Sequence, residues 1–343
     1  MAGKAARRIR SIATGPSVQG WVLPHLIAWV DKQGFDSASI QRLPGLADLA
    51  DPDLRVPEAS AETAWRLATT MTGDAAIGVH VAESLPRGAL DLVEYALRSS
   101  ASLVAGLERL VRYGRVVSDR VAARMEAHGE GLLLLVRDTG STSLHPGRAE
   151  FALAAVLKLA RESTGKDITP LQVCFAHAAP DDESEHRRFF RGSVRFDAGS
   201  NSMILSAVDA ARPMRSADEA LASIVRRRLD KALAERDQFA GSLGGRVRRM
   251  MVEHLGEMTF TPETVAKALA VSRRTLGRRL ADEGTSFRQI LDDVRMEFAC
   301  ALLQDRGSSV ADVAFFLGYS EPAAFNRAFQ RWTGKTPGAF RMS

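Results

Sequence analysis

The sequence has few cysteines, few aromatic residues and no long apolar run. Its two cysteines, Cys174 and Cys300, stand far apart in 343 residues, which excludes a disulfide-stapled secreted domain. Neither has metal-ligand spacing around it. The longest apolar runs, such as Leu132–Val136, are far shorter than the roughly 20 residues that cross a bilayer. We therefore predict a cytoplasmic protein with reduced thiols, no membrane contact, no metal and no cofactor.

Neither basic nor acidic residues are in strong excess. The chain carries 46 Lys and Arg against 41 Asp and Glu, a net charge of +5. Residues 240–343 hold 15 of the basic and 11 of the acidic side chains, so most of the excess lies in the last third. This placement indicates an anionic partner there. A hydrophobic content of 45% excludes a disordered chain, and the length suits two or three domains.

The hydrophobic period divides the chain into regions. Residues 1–16 are basic and aperiodic, which predicts a flexible tail. Residues 17–212 combine helical periods with short strand-like runs, so we predict an α+β domain. Residues 213–243 form a connecting helix and a glycine-rich linker, and residues 244–343 have only the helical period. The expected fold is therefore an α+β domain followed by an all-α domain.

Two pairs of short segments in the α+β region have strand-like composition and are separated by turn residues. Val121–Ala127 and Leu132–Arg137 predict one β-hairpin. Val194–Phe196 and Met203–Ser206 flank a turn-rich segment and predict a second hairpin. Leu171–Phe175 is a short apolar strand. Paired layers of this kind readily leave a cavity between them, and we expect Leu132–Leu135 and Leu171–Phe175 to contribute to its walls.

The connecting helix, predicted over Ala217–Arg236, has one apolar stripe and one charged face. The stripe must be buried between two protomers, between domains or against the helix's own domain, and the pattern leaves all three open. The stripe consists of Leu221, Val225, Leu229, Ala232 and Leu233.

The all-α region contains an internal repeat of two helix-turn-helix units, one at about 261–282 and one at about 309–332. Each has a small residue inside its first helix, Ala266 or Ala314. Each has another in the turn four residues later, Ala270 or Gly318. A helix predicted from Ser286 to about Gln304 joins the two units.

The second helix of each unit has an inner and an outer face. In the first, Leu276 and Leu280 define the buried side, so Arg274 and Arg278 point outward. In the second, Phe325 and Phe329 are buried, and Arg327 takes the place equivalent to Arg278. An outward Arg on such a helix can bind guanine through two hydrogen bonds in the major groove. Two units in register favour DNA binding over a merely solvated face.

The segment from about Gly244 to the end resembles the DNA-binding domain of the AraC/XylS family of bacterial transcription regulators. Its Gly318-Tyr-Ser turn and closing Thr336-Pro-Gly are characteristic of that family. The resemblance implies binding to double-stranded promoter DNA and contact with RNA polymerase. Gly277 and Ala323 depart from a base-reading pattern because their side chains cannot hydrogen-bond a base. The implied DNA-contacting positions are Ser272, Arg273, Arg274, Gly277, Arg278, Ala323, Asn326 and Arg327.

Residues 20 to 210 resemble, less specifically, the effector domains of regulators of ornithine use and of the VirS type. Asp51–Pro57, Leu97–Leu103 and Val194–Phe196 carry the similarity. The resemblance implies a sensor that binds a small organic effector, and an activator or repressor that can form a homodimer. It names no ligand and no ligand-binding residue.

Other motifs favour structural roles. Asp138-Thr-Gly-Ser141 matches an aspartic-protease signature, but such enzymes need a second aspartate loop, and the chain has no second copy. The mixed charges of Asp181–Arg188 are typical of a solvated face, and His177 beside an apolar strand suits a core or rim position. An enzyme fused to a DNA-binding module remains the alternative hypothesis, although no cluster of titratable residues supports it.

Overall fold

The computed structural model describes residues 17–46, 49, 51, 54–129, 131–138, 144–256, 260–304, 309–333 and 335–341. The chain forms two compact units, one of residues 18–56 and 61–234 and the other of residues 235–343 with the short segment 57–60. The tail predicted for residues 1–16 lies outside the described part. So do Thr139, Gly140 and Ser141 of the protease-like motif.

The N-terminal unit combines helices with a five-stranded sheet. A 3-10 turn at Gly20–Val22 follows the first strand. The strands are β1 (Ser17–Gln19), β2 (Arg55–Pro57), β3 (Val121–His128), β4 (Gly131–Asp138), β5 (Gln172–Cys174), β6 (Ser193–Arg195) and β7 (Asn201–Ser206). The helices are α1 (Leu23–Lys32), α2 (Ala38–Gln41), α3 (Glu58–Thr72), α4 (Ile77–Ser84), α5 (Asp91–Arg98), α6 (Leu103–Arg112), α7 (Gly114–Val117), α8 (Pro146–Thr164), α9 (Ser184–Phe190), α10 (Ala207–Ala210) and α11 (Glu219–Gly241).

The large sheet has the strand order β3-β4-β7-β5-β6. The first predicted hairpin is confirmed, since β3 and β4 pair antiparallel with Val121 opposite Asp138. The second predicted hairpin is wrong. Strand β5 lies between β6 and β7, antiparallel to β7 and parallel to β6. Helix α9 makes the crossover from β5 to β6 that a parallel pair requires, so the turn-rich segment before β7 connects strands that are not neighbours.

The long helix α8 packs closely on α4. The side chain of His145 accepts a hydrogen bond from the Gly147 amide and caps α8, and Pro146 occupies its first turn. Gly78 of α4 lies against this start, where a β-carbon would come within 2.2 Å of the Gly147 carbonyl oxygen. Only glycine therefore permits this approach of the two helices. The contact places α8 across the centre of the unit, with its buried face toward the sheet.

The apolar stripe of α11 packs within the N-terminal unit. Val225 and Leu229 are buried in a cluster that includes Val93, Tyr113 and Val116. The Tyr113 hydroxyl donates a hydrogen bond of 2.9 Å to Asp230 on the same helix. The sequence left open what buries the stripe. In the structure, Val225 and Leu229 pack within the helix's own domain.

The C-terminal unit is helical throughout its described residues. Its helices are α12 (Leu243–Glu253), α13 (Pro262–Ala268), α14 (Arg273–Asp282), α15 (Phe287–Gln304), α16 (Val310–Phe316), α17 (Pro322–Thr333) and α18 (Pro337–Arg341). Gly244 and Gly245 lie in the first turn of α12. Ser242 caps that turn, and the Glu283 carboxylate accepts hydrogen bonds of 2.8 Å from the Leu243 and Gly244 amides. A carboxylate at a helix N-terminus compensates the low helix propensity of the glycines.

Candidate functional site

The first helix-turn-helix consists of α13 and α14. Thr261 caps α13 in a capping box with Thr264, and Ser272 caps α14 by accepting from the Thr275 amide. In the turn, the Val271 amide donates to the Ala266 carbonyl at 2.9 Å. Ala270 closes the turn with φ of +55°, a left-handed conformation that is unusual for a residue with a β-carbon.

The second unit repeats this geometry with α16 and α17. Ser309 caps α16 in a capping box with Asp312. The Tyr319 amide donates to the Ala314 carbonyl at 3.0 Å, and Gly318 takes the left-handed position with φ of +78°. The offset between the copies is 48 residues in the first helices and 49 in the second helices, so the second turn is one residue longer.

The predicted recognition face of α14 is exposed. Leu276 and Leu280 are buried in the core of the unit. Arg273 forms an ion pair of 2.7 Å with Glu263 of α13. Around Gly277 a β-carbon would meet nothing within 4 Å, so the backbone of the helix is open to a partner there. The exposed predicted residues are Ser272, Arg273, Arg274, Gly277 and Arg278.

The equivalent face of α17 is exposed as well. Phe325 and Phe329 are buried, whereas Ala323, Asn326 and Arg327 are exposed. The structure therefore brings the predicted residues of each copy onto one surface of one helix. Exposed Arg279 of α14 and Gln330 of α17 adjoin these surfaces, and the sequence reasoning did not assign them as contacts.

The arginines of these faces differ in their partners. Arg331, at the end of α17, pairs with Asp292 of α15 at 3.1 Å. Within the described residues, Arg274, Arg278 and Arg327 form no side-chain hydrogen bond or ion pair with the protein. Three uncompensated guanidinium groups on two neighbouring helix-turn-helix units provide the charge and the paired donors that phosphates and guanine edges accept.

The N-terminal unit contains an apolar cavity of about 220 Å³. It lies where β1, β3, β4, α5, α6 and α8 meet, so segments far apart in the sequence form its wall. Leu134 belongs to the first hairpin, which the sequence suggested as a wall, whereas the suggested strand at 171–175 does not line this cavity. Prominent lining residues are Trp21, Trp65, Leu110, Leu134, Phe151 and Val156.

Four polar side chains reach the wall of this cavity, and three of them are satisfied by the protein. The Glu94 carboxylate is buried and accepts from Arg98 at 2.6 Å. Arg148 donates to Glu62 at 2.9 Å, and Ser118 accepts from the Val121 amide at 3.0 Å. The exception is Gln19, whose buried Oε1 has no hydrogen-bond partner among the described residues. No pattern in the sequence singled out Gln19.

A second cavity of about 230 Å³ has a more polar wall. Glu150 is buried there, with Oε1 2.9 Å from His186 Nε2 and 3.4 Å from His177 Nε2. His177 thus takes a partly buried rim position beside this carboxylate. Burial lowers the pKa of His145, which also lines this cavity. In the part of the chain that the structure describes, no group of three His, Cys, Asp or Glu side chains is arranged to hold a metal ion.

A tandem pair of helix-turn-helix units with arginine-bearing outer faces, attached to an α+β unit with a cavity, defines a DNA-binding regulator. A family model described as the arabinose-binding domain of AraC transcription regulators, N-terminal, matches residues 34–214, and a helix-turn-helix domain model matches residues 265–343. Because the first match alone spans more than half of the chain, the protein belongs to the AraC family of transcription regulators.

Three relatives illustrate the similarity. The ornithine utilization regulator of Pseudomonas aeruginosa is 28% identical over 80% of this chain and 80% of its own length. The regulator VirS of Mycobacterium tuberculosis is 27% identical over 77% of this chain and 78% of its own. The regulator VqsM of P. aeruginosa is 50% identical, but over 23% of this chain and 25% of its own. All three relatives are named as regulators. Among the described helices, none is long and apolar enough to span a membrane.

Proposed function

We propose that this AraC-family regulator binds promoter DNA sequence-specifically and that a small organic effector in the apolar cavity controls its occupancy of that DNA. The observation that carries the proposal is an apolar cavity of about 220 Å³ in the unit joined to two helix-turn-helix motifs. The wall of the cavity is mainly apolar, and apolar surface left uncovered costs free energy. A bound molecule would supply the missing contacts.

The proposal assigns residues 17–212 to effector sensing, 213–243 to the connection and 244–343 to DNA binding. Arg274, Arg278, Asn326 and Arg327 would make the polar contacts to DNA, since all four are exposed on the second helices. Ser272, Arg273, Gly277 and Ala323 would lie against the backbone or base edges. Contact with RNA polymerase and formation of a homodimer stay predictions from the family resemblance.

The DNA part of the proposal is tested with sites selected from a random duplex pool. Arg278→Ala should weaken binding to the selected site by about 1–3 kcal/mol while changing binding to random DNA less. Arg331→Ala is the matched control, because Arg331 is already paired with Asp292 and lies outside the proposed contacts. Equal losses on selected and random DNA would show that Arg278 contacts phosphate rather than a base.

The effector part is tested by filling the cavity. Ala152 lines it, so Ala152→Phe should remove the space and abolish the response of DNA occupancy to a cell extract or compound library that activates the wild type. Ala154→Leu on the same helix controls for overpacking, because Ala154 is buried but does not line the cavity. A filled variant that responds like the wild type would contradict effector control through this cavity.

A further inference from the structure

The cavity walls restrict the chemistry of the effector, and this inference rests on the proposed function. Size gives the first restriction. An engineered protein cavity of about 150 Å³ holds one benzene molecule. By proportion, the 220 Å³ found here holds about nine non-hydrogen atoms, which is one ring with a short substituent.

Aromatic side chains give the second restriction. Trp21, Trp65 and Phe151 all line the cavity, and the rings of Trp65 and Phe151 are 5.6 Å apart at a tilt of 54°. Tilted ring walls match the edge-to-face and offset arrangements that aromatic pairs prefer. A flat ring therefore fits this space better than a flexible chain, which would also lose more conformational entropy on binding.

Charge gives the third restriction. Glu94 and Arg148 are the charged residues on the wall, and each is already paired inside the protein. Glu94 accepts from Arg98 and also from the Gly88 amide at 2.9 Å, and Arg148 pairs with Glu62. An ionised ligand would have to break one of these buried pairs or enter without a counter-charge, and both are costly. This cost argues against a charged amino acid as the effector of this chain.

Gln19 gives the fourth restriction. Its Oε1 is buried at the cavity wall and has no partner within the part of the chain that the structure describes, which costs free energy unless a ligand supplies a donor. The other polar side chains at this wall have partners in the protein. A ligand with one hydroxyl or amide group near Gln19 would satisfy it, and the remaining surface of the ligand would meet apolar walls.

We propose that the effector is an uncharged, single-ring aromatic molecule of about nine non-hydrogen atoms with one hydrogen-bonding group that reaches Gln19. Phenols, benzyl alcohols and small aromatic amides belong to this class. Carboxylates, amines and sugars do not. The ring lies among Trp21, Trp65 and Phe151, and the polar group marks the end of the cavity at β1.

Matched probes test the charge restriction on the full-length protein. Phenylacetamide and phenylacetate have nearly the same shape but differ in charge, so the amide should bind at least tenfold more tightly at pH 7.5. Quenching of tryptophan fluorescence reports binding directly, since two of the four tryptophans line the cavity. Thermal shift provides the second readout, because a ligand of the native state raises the melting temperature.

A second pair of probes tests the role of Gln19. 4-Ethylphenol carries the donor that ethylbenzene lacks, and Gln19→Leu should weaken the phenol about fivefold, as expected for one net hydrogen bond, while leaving ethylbenzene unchanged. Gln33→Leu, an exposed position at the end of α1, is the matched control and should change neither affinity. Retained ethylbenzene binding also shows that the Gln19 variant is folded.

Several results would overturn the inference. These are equal or tighter binding of phenylacetate, a phenol-to-ethylbenzene ratio unaffected by Gln19→Leu, or no binding of any neutral probe. The proposed function fails separately. If the neutral probes bind with the stated preferences but leave DNA affinity unchanged, the ligand class stands and effector control does not. If Ala152→Phe abolishes the cellular response but the cavity prefers phenylacetate, effector control stands and the ligand class is wrong.

Discussion

At the scale of single residues, His80 is the side chain whose ionisation most clearly depends on the fold. Its Nδ1 lies 2.8 Å from Asp74 and its Nε2 lies 3.0 Å from Glu185. The hydrogen bond to Asp74, opposed by partial burial and helped by Glu185, raises the pKa of His80 from 6.5 to about 9. The ring also stacks on Trp29 at 5.3 Å. These contacts favour the protonated form and tie α4 to α1 and α9.

The raised pKa of His80 determines how the stability of the fold depends on pH. The raised pKa means that the His80 contribution is fully present below about pH 6.5 and is lost as the pH rises toward 9. We expect a loss of about 1–2 kcal/mol, less than the full shift because solvent screens a partly exposed site. Urea unfolding of the wild type and of His80→Gln at pH 6, 7.5 and 9.5 measures it. A stability difference between the two proteins that does not shrink with pH would contradict the assignment.

The two turn residues form a natural pair for a test of backbone strain. Ala270 and Gly318 occupy equivalent left-handed positions, with φ of +55° and +78°. Such a conformation costs a residue with a β-carbon about 1–2 kcal/mol, of which the freer unfolded glycine chain offsets part. Ala270→Gly should therefore stabilise the C-terminal unit by about 0.5–1 kcal/mol, and Gly318→Ala should destabilise it by a similar amount.

Native-state hydrogen exchange of amides in α13 and α14, and in α16 and α17, reports these changes in the full chain. A β-carbon on Gly318 would lie 3.2 Å from the end of the flexible Arg295 side chain, so strain rather than collision dominates there. Changes of the same sign in both variants would show that the turns are not equivalent.

At the scale of secondary-structure elements, local patterns predicted most of the molecule. The β3-β4 hairpin follows from its turn residues, and the helices of both repeats follow from spacing and from Ser or Thr caps, which act within a few residues. The insertion of β5 between β6 and β7 could not be predicted this way. Strand order is set by long-range pairing, and β5 and β6 are three residues each, too short for a periodic signal.

The two candidate sites also differ in how far the sequence predicts them. The outward arginines of α14 and α17 were predictable because helical period alone fixes which side faces the core. The wall of the apolar cavity was not, since it joins side chains from β1 to α8, and its polar residue Gln19 carries no local motif. Cavities depend on where distant elements fail to fill space, and a sequence read one segment at a time does not contain that information.

Helix α11 provides the test at this scale. Leu229 is 1% exposed within the N-terminal unit, whereas Leu221 is 38% exposed. Leu229→Ala should destabilise the protein by about 2–4 kcal/mol through lost burial and a cavity, and Leu221→Ala should change stability by less than about 0.5 kcal/mol. Sedimentation of both variants should give the wild-type mass. A fall in mass for Leu229→Ala without a loss of stability would place the stripe between protomers.

At the scale of the whole molecule, the uneven charge predicts a steep salt dependence of DNA binding. Residues 240–343 carry 15 basic against 11 acidic side chains, and three arginines on the outer faces have no acidic partner among the described residues. Each arginine that neutralises a phosphate releases counterions, so its removal should reduce the slope of log K against log salt by about 1. An arginine that reads a base should lower affinity at every salt concentration without changing the slope, which separates the two roles of Arg274, Arg278 and Arg327.

Effector control and DNA binding must be linked reciprocally if both act on one equilibrium. An effector that raises DNA affinity by some factor requires that DNA raise effector affinity by the same factor, typically 5- to 150-fold for coupled sites.

We expect 4-ethylphenol, as a probe of the apolar cavity, to bind the protein–DNA complex and the free protein with different affinities. The ratio of these two 4-ethylphenol affinities should equal the factor by which saturating 4-ethylphenol changes the affinity for DNA. Fluorescence titrations with and without the selected DNA measure one side, and DNA titrations with and without phenol measure the other. Ala152→Phe, which fills the cavity, should reduce both ratios to one. Identical phenol affinity in the free and DNA-bound protein would mean that the cavity and the helix-turn-helix units act independently.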